Sequence, residues 1–131
     1  AARYYDQITV GLDFTARDIQ QRQKEKGLPW EPAKAFDHSS PIGRFIPLSE
    51  VKDSSTIAFS MTKNGETVQS GTIREMIFSF DAIISYVSRF ITLRKGDLIF
   101  TGTPKGVGPV AAGDQLELFL EGQSLLSVKI A

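Results

Sequence analysis

The sequence predicts a single α+β domain dominated by short β-strands. Three observations carry that reading. Several short stretches alternate apolar and polar side chains, which is the period of a half-buried strand. Only two stretches carry apolar residues or strong helix formers at helical spacing. The 131 residues suit one domain and leave no room for a second.

From Ile8 to Asp13, Ile8, Val10 and Leu12 alternate with Thr9, Gly11 and Asp13, which predicts a strand with one buried face. Thr15-Ala-Arg-Asp18 has capping-box spacing, and Ala16–Lys26 is rich in helix formers. Gly27 followed by Pro29 is a stop signal. Pro29, Pro32, Pro41 and Pro47 then mark a long irregular excursion to Glu50, with one short strand expected around Arg44–Ile46. Ile57, Phe59 and Met61 alternate with Ala58, Ser60 and Thr62, and Asn64-Gly65 is a strong hairpin signal. Met76–Ile91 carries Ile83, Ile84, Val87, Phe90 and Ile91 at helical spacing and is the second predicted helix. Leu98–Phe100 is expected as a short buried strand, and Thr101–Pro109 as a shaped loop dense in Gly and Pro. Leu116, Leu118 and Leu120 alternate with Glu117, Phe119 and Glu121; after a turn at Gly122, Leu125–Ile130 returns as the last strand.

Charge narrows the function. Fifteen basic and fifteen acidic side chains cancel, and no block of like charge stands out, which argues against nucleic acid or an anionic membrane surface as partner. With no cysteine there is neither a disulfide frame nor a thiolate nucleophile. The single histidine excludes a multi-His metal site within one chain, so any metal is expected to be a hard, oxygen-bound ion: Mg²⁺, Mn²⁺ or Ca²⁺. No apolar run approaches the ~20 residues that span a bilayer, and a soluble cytoplasmic protein is expected. The abrupt opening AARYYDQITVGLD leads us to expect more chain upstream of Ala1.

Asp13 falls at a strand end, on the polar face, just before a helix. Arg17, Gln20 and Lys24 follow at steps of three and four, which places them on one helical face with Gln21 nearby. A carboxylate beside a guanidinium and a carboxamide suits an anionic, oxygen-rich substrate: carboxylate for a metal, guanidinium for a substrate carboxylate, amide for a carbonyl or water. Lys34, in Pro32-Ala-Lys-Ala, is placed to neutralise charge on an enolate oxygen. Spacing alone leaves the plainer readings open: Asp13 as a turn residue, the helical stripe as a solvated face, Lys34 as a surface lysine.

The stretches VGLDFTARDIQ (10–20), KGLPWEPAKAFD (26–37), MIFS (76–79), ISYVSRFITLRKGDLIFTGTPKGVGPV (84–110) and AAGD (111–114) together resemble the fumarylacetoacetate hydrolase family. The likeness is to its small acylpyruvate hydrolase and oxaloacetate decarboxylase type. It runs nearly the whole chain, with the motifs in the family's order. The resemblance implies a mixed, strongly bent β-sheet rolled around the site, in the manner of the family's C-terminal domain, and a homodimer. It also implies Mg²⁺ or Mn²⁺ held by two glutamates of a Glu-x-Glu motif and one aspartate. The aspartate corresponds to Asp13. The substrate-contacting arginine and glutamine correspond to Arg17 and Gln20, the active-site lysine to Lys34, and the threonine of the Gly-Thr-Pro loop to Thr103.

The implied activity is cleavage of a C–C bond in a small 2-oxo or 1,3-dioxo carboxylic acid through a metal-bound enolate. Acylpyruvate hydrolysis and oxaloacetate-type decarboxylation share that enolate, as does keto–enol isomerisation. Two departures from the family pattern stand out. No Glu-x-Glu occurs in the chain; Glu75, Glu117 and Glu121 are isolated from one another. His38 does not match the catalytic histidine that some members carry on an upstream lid. A catalytically inactive relative, kept as a binding or assembly module, is therefore the alternative expectation.

Overall fold

The computed structural model describes residues 2–51, 53 and 55–131. Its strands are β1 (Gln7–Ile8), β2 (Ile46–Pro47), β3 (Ala58–Lys63), β4 (Glu66–Thr72), β5 (Gln115–Leu120) and β6 (Gln123–Lys129). Its α-helices are α1 (Arg17–Glu25), α2 (Glu31–Lys34) and α3 (Phe80–Val87). β1 and β2 pair alone, and the other four strands form one sheet in the order β4-β3-β5-β6. The β-dominated fold class therefore stands. Every pairing among the named strands is antiparallel, where the resemblance led us to expect a mixed sheet. Tight turns join β3 to β4 and β5 to β6, and two-residue turns can join only antiparallel neighbours.

The hairpins form where the sequence placed them. Asn64 and Gly65 take φ values of 53° and 86°, the positive pair a primed two-residue turn requires. Leu116, Leu118 and Leu120 turn inward from β5 and pack with Val10, Leu12, Ile46, Val51, Ile57 and Leu125 to form the core. Leu116 and Ile57 are fully enclosed.

The hairpin turn is also pinned by polar contacts. Asn64 Nδ2 donates to Asp114 Oδ1 (2.8 Å), the Ala111 N–H donates to Asp114 Oδ2 (2.9 Å), and Asn64 Oδ1 accepts from the Gln115 N–H (2.8 Å). The Asn64 amide and the Ala111 N–H, helped by Lys63, hold the Asp114 carboxyl below its ordinary value of 3.8. A depressed carboxylate adds stability that is complete above the unfolded value and is lost as pH falls through the folded one. Unfolding midpoints measured from pH 5 to pH 2 are therefore expected to fall less steeply in Asp114→Asn than in the parent protein, the difference opening below about pH 4. Superimposable profiles would remove this role.

Three expectations are corrected. The Ile8–Asp13 stretch keeps its alternation, with Val10 and Leu12 buried, but only Gln7–Ile8 is paired as a strand; the rest bonds to an irregular strap rather than to a strand. The second helix covers Phe80–Val87 rather than Met76–Ile91, because the Ser79 side chain accepts from the Ala82 N–H (3.2 Å) and starts the helix there. Leu98–Phe100 pairs with no strand among the described residues, and Leu98 and Phe100 are each about half exposed. A short apolar run becomes a buried strand only where a neighbour offers its edge. No helix among the described residues is long and apolar enough to cross a membrane.

Candidate active site

The chain between Val10 and Gly43 closes on itself through backbone bonds. Gly43 N–H donates to Val10 O, Leu12 N–H to Pro41 O, Phe14 N–H to Ser39 O and Ala16 N–H to Ala33 O, all between 2.9 and 3.0 Å. This zip sets α2 beside the start of α1 and buries Ala33 completely. With Leu12 buried, Asp13 faces the other way, and Lys34 at the end of α2 reaches it.

Lys34 Nζ donates to Asp13 Oδ2 (2.7 Å) and to Thr15 Oγ1 (2.8 Å). The Thr15 hydroxyl in turn reaches Asp13 O (3.3 Å). Thr15 is thus not the helix cap its spacing predicted. Ala16 occupies the N-cap position without a side-chain bond, and the Thr15 hydroxyl is engaged with the lysine. On α1, Arg17 Nη1 donates to Gln20 Oε1 (3.2 Å), which bears out their placement on one face.

Asp13, Thr15, Arg17, Lys34 and Thr103 all line one large trough of about 2050 Å³. Gln20 and Lys24 lie outside that lining, so Gln20 reaches the site only through Arg17. His38 also lies outside it. It sits in the excursion at φ 63°, a loop position. The trough is about twice the upper size of an ordinary ligand pocket, so a small acid would fill only part of it. Apolar side chains of α3 and its approach, Ile77, Phe78, Phe80, Ile83 and Ile84, line the trough as well, with Ile77 and Phe78 largely exposed.

Two contacts of residues that line the trough escaped the sequence reading. Glu75 lines the trough, but its Oε2 accepts from the Thr72 N–H (3.2 Å) in a capping box that opens the 3₁₀ turn Ile73–Glu75. The Thr72-to-Glu75 spacing was the available signal. Gln69, on the edge strand β4, reaches the Thr101–Pro109 loop; no sequence signal marked it.

A metal fits this site only in part. Asp13 offers one carboxylate, and no cluster of three or more His, Cys, Asp or Glu among the described residues is placed to hold an ion. Mg²⁺ demands near-octahedral oxygen ligation, so these side chains alone do not form its cage.

The fumarylacetoacetate (FAA) hydrolase C-terminal family model matches residues 1–131. The chain belongs to this family. A mouse relative, the mitochondrial oxaloacetate tautomerase, is 47% identical over 130 residues, covering 99% of this chain and 59% of that protein. The chain thus spans little more than half the length of that curated relative. A fumarylacetoacetate hydrolase family protein from Yersinia pestis CO92 superposes with a TM-score of 0.93 at 47% identity, over 99% of this chain and 61% of the other. The Pseudomonas aeruginosa fumarylpyruvate hydrolase, solved in complex with Mn²⁺ and pyruvate, superposes with a TM-score of 0.87 at 46% identity. It covers 94% of this chain and 53% of its own. Membership accounts for the joint presence of the LDFTARDIQ and TGTPKGVG motifs, residues of both of which line one trough.

Proposed function

We propose that the protein is a divalent-metal-dependent enzyme acting on a small 2-oxo or 1,3-dioxo carboxylic acid. It cleaves a C–C bond, by hydrolysis or decarboxylation, or interconverts keto and enol forms. The observation that carries this reading is the Lys34 ammonium, held between Asp13 and Thr15 in a trough that Arg17 and Thr103 also line. The names of the mouse and Pseudomonas relatives support the same substrate class. The manganese bound by the latter supports a divalent cation here, for which Asp13 would be one oxygen donor.

The chain's own side chains account for binding and charge stabilisation. Arg17 presents a fork of N–H donors to a carboxylate, and the Thr103 hydroxyl supplies a further contact. Lys34 has three N–H donors, two of them already directed at Asp13 and Thr15. The third is free to meet an enolate oxygen as its charge develops. Water attack at a distal carbonyl gives hydrolysis, loss of carboxylate gives decarboxylation, and a proton shift alone gives tautomerisation. One enolate serves all three.

The test follows oxaloacetate or acetylpyruvate absorbance with Mn²⁺ or Mg²⁺, comparing the parent with Asp13→Ala. The expected outcome is a rate in the variant close to the uncatalysed one, and equal rates would sink the assignment. The single carboxylate favours one other reading, an inactive binding or assembly module. Mg²⁺ with oxalate separates the two, because a ligand at about 100 times its Kd adds roughly 2.7 kcal/mol to stability. A melting curve unmoved by that mixture would favour the module. A homodimer is part of the proposal, and sizing in solution checks it.

A further inference from the structure

The Thr101–Pro109 loop lies against β4, the edge strand of the four-stranded sheet. Gly106, at φ 102°, approaches Val68 so closely that a Cβ there would run into the Val68 carbonyl oxygen. Beside this contact, Gln69 Nε2 donates to Pro104 O (3.1 Å) and to Thr103 Oγ1 (3.3 Å). Gln69 is half-buried and lines the trough together with Thr103.

The amide orientation follows from chemistry. Pro104 O can only accept, so the NH₂ end of Gln69 must face the loop. The Thr103 oxygen beside that same nitrogen must then accept as well. A hydroxyl that accepts from one side keeps its own hydrogen for another partner. The hydrogen of Thr103 is therefore left to donate elsewhere, and the trough is where an anion would meet it.

We propose that Gln69 is a positioning residue that fixes the Thr103 hydroxyl as a donor toward the trough and so sets the affinity for a substrate carboxylate. The inference rests on the functional reading above and adds a residue to it. Gln69→Glu keeps the size of the side chain and reverses its hydrogen bonding. A carboxylate would take the Thr103 hydrogen for itself, face Pro104 O with no donor, and add charge beside the anion.

The experiment measures oxalate binding by calorimetry on the full-length protein with Mn²⁺, for the parent, Gln69→Glu, Thr103→Val and the double variant. Melting curves run alongside, with KM and kcat for the turned-over acid. Gln69→Glu and Thr103→Val are each expected to weaken oxalate by about tenfold or more, the scale of a hydrogen bond to a charged group. The double variant should lose less than the two single losses combined, since the hydrogen bond is lost only once and only the added charge acts on top of it. Thr103→Ser, which keeps the hydroxyl, should bind as the parent does, and the loss in Gln69→Glu should fall mainly on KM. Oxalate affinity in Gln69→Glu within about twofold of the parent, or losses that add in full in the double variant, would overturn the role of Gln69 alone. A parent protein that binds no oxalate with Mn²⁺ would overturn the functional reading and this inference together.

Discussion

Turnover of a 2-oxo acid is expected to fall by about 10²- to 10³-fold in Lys34→Met, the range for removing one preorganised donor from a developing oxyanion. The unfolding midpoint should barely move. Lys34 and Asp13 form a pair whose side chains are 34% and 43% exposed, and ion pairs this open to solvent contribute about 0–1 kcal/mol. Methionine keeps the length of the aliphatic stem and loses only the charge and its donors. The separation between a large kinetic effect and a small thermal one distinguishes a chemical lysine from a structural one. Steady-state kinetics on the folded variant, with a melting curve on the same sample, provide the check. A kcat/KM unchanged in Lys34→Met would leave the lysine as a tether for Asp13 and nothing more.

Leu116→Ala is expected to be the most damaging single truncation in the core. The side chain is fully enclosed near the start of β5, which pairs on both sides with β3 and β6. Removing it leaves a cavity on the core face of a sheet whose strands cannot shift to fill it without breaking their ladders. Such a change costs about 2–5 kcal/mol, a large share of a domain stability of roughly 5–15 kcal/mol. A thermal midpoint lower by roughly 10 °C corresponds to the middle of that range. Ile77→Ala is the control: at 90% exposure it should stay within about 0.5 kcal/mol of the parent. A Leu116→Ala midpoint as high as the control's would show that the core tolerates the loss by repacking.

Legibility in the sequence followed the range of the interactions. Asn64-Gly65 and the alternating leucines of β5 were readable because a turn and a pleat are set by neighbouring residues. Arg17 and Gln20 were readable as one face for the same reason. Leu98–Phe100 was misread as a strand because its burial depends on a neighbour, which no local pattern reports. Thr15 was misread as a cap because its spacing was right while its true partner, Lys34, lies across the whole α1–α2 connection. The Asp13–Lys34 bond itself depends on the zip from Val10 to Gly43. Only the resemblance placed the two residues in one site, and only the coordinates join them. Gln69 carried no signal at all, since a polar residue on an edge strand is ordinary until a loop settles against it.

The strap that carries Asp13 and Lys34 ends at Arg44, whose N–H donates to Leu125 O (3.0 Å) in β6. Leu125 is itself part of the core. The two ends of this bond are made far apart in time during translation. At roughly 5–20 residues per second, several seconds pass between them. The strap therefore leaves the ribosome before β6 and stays without this anchor until that strand follows. In that interval it is open to chaperones and proteases, and a stall between the two segments would leave the strap unanchored.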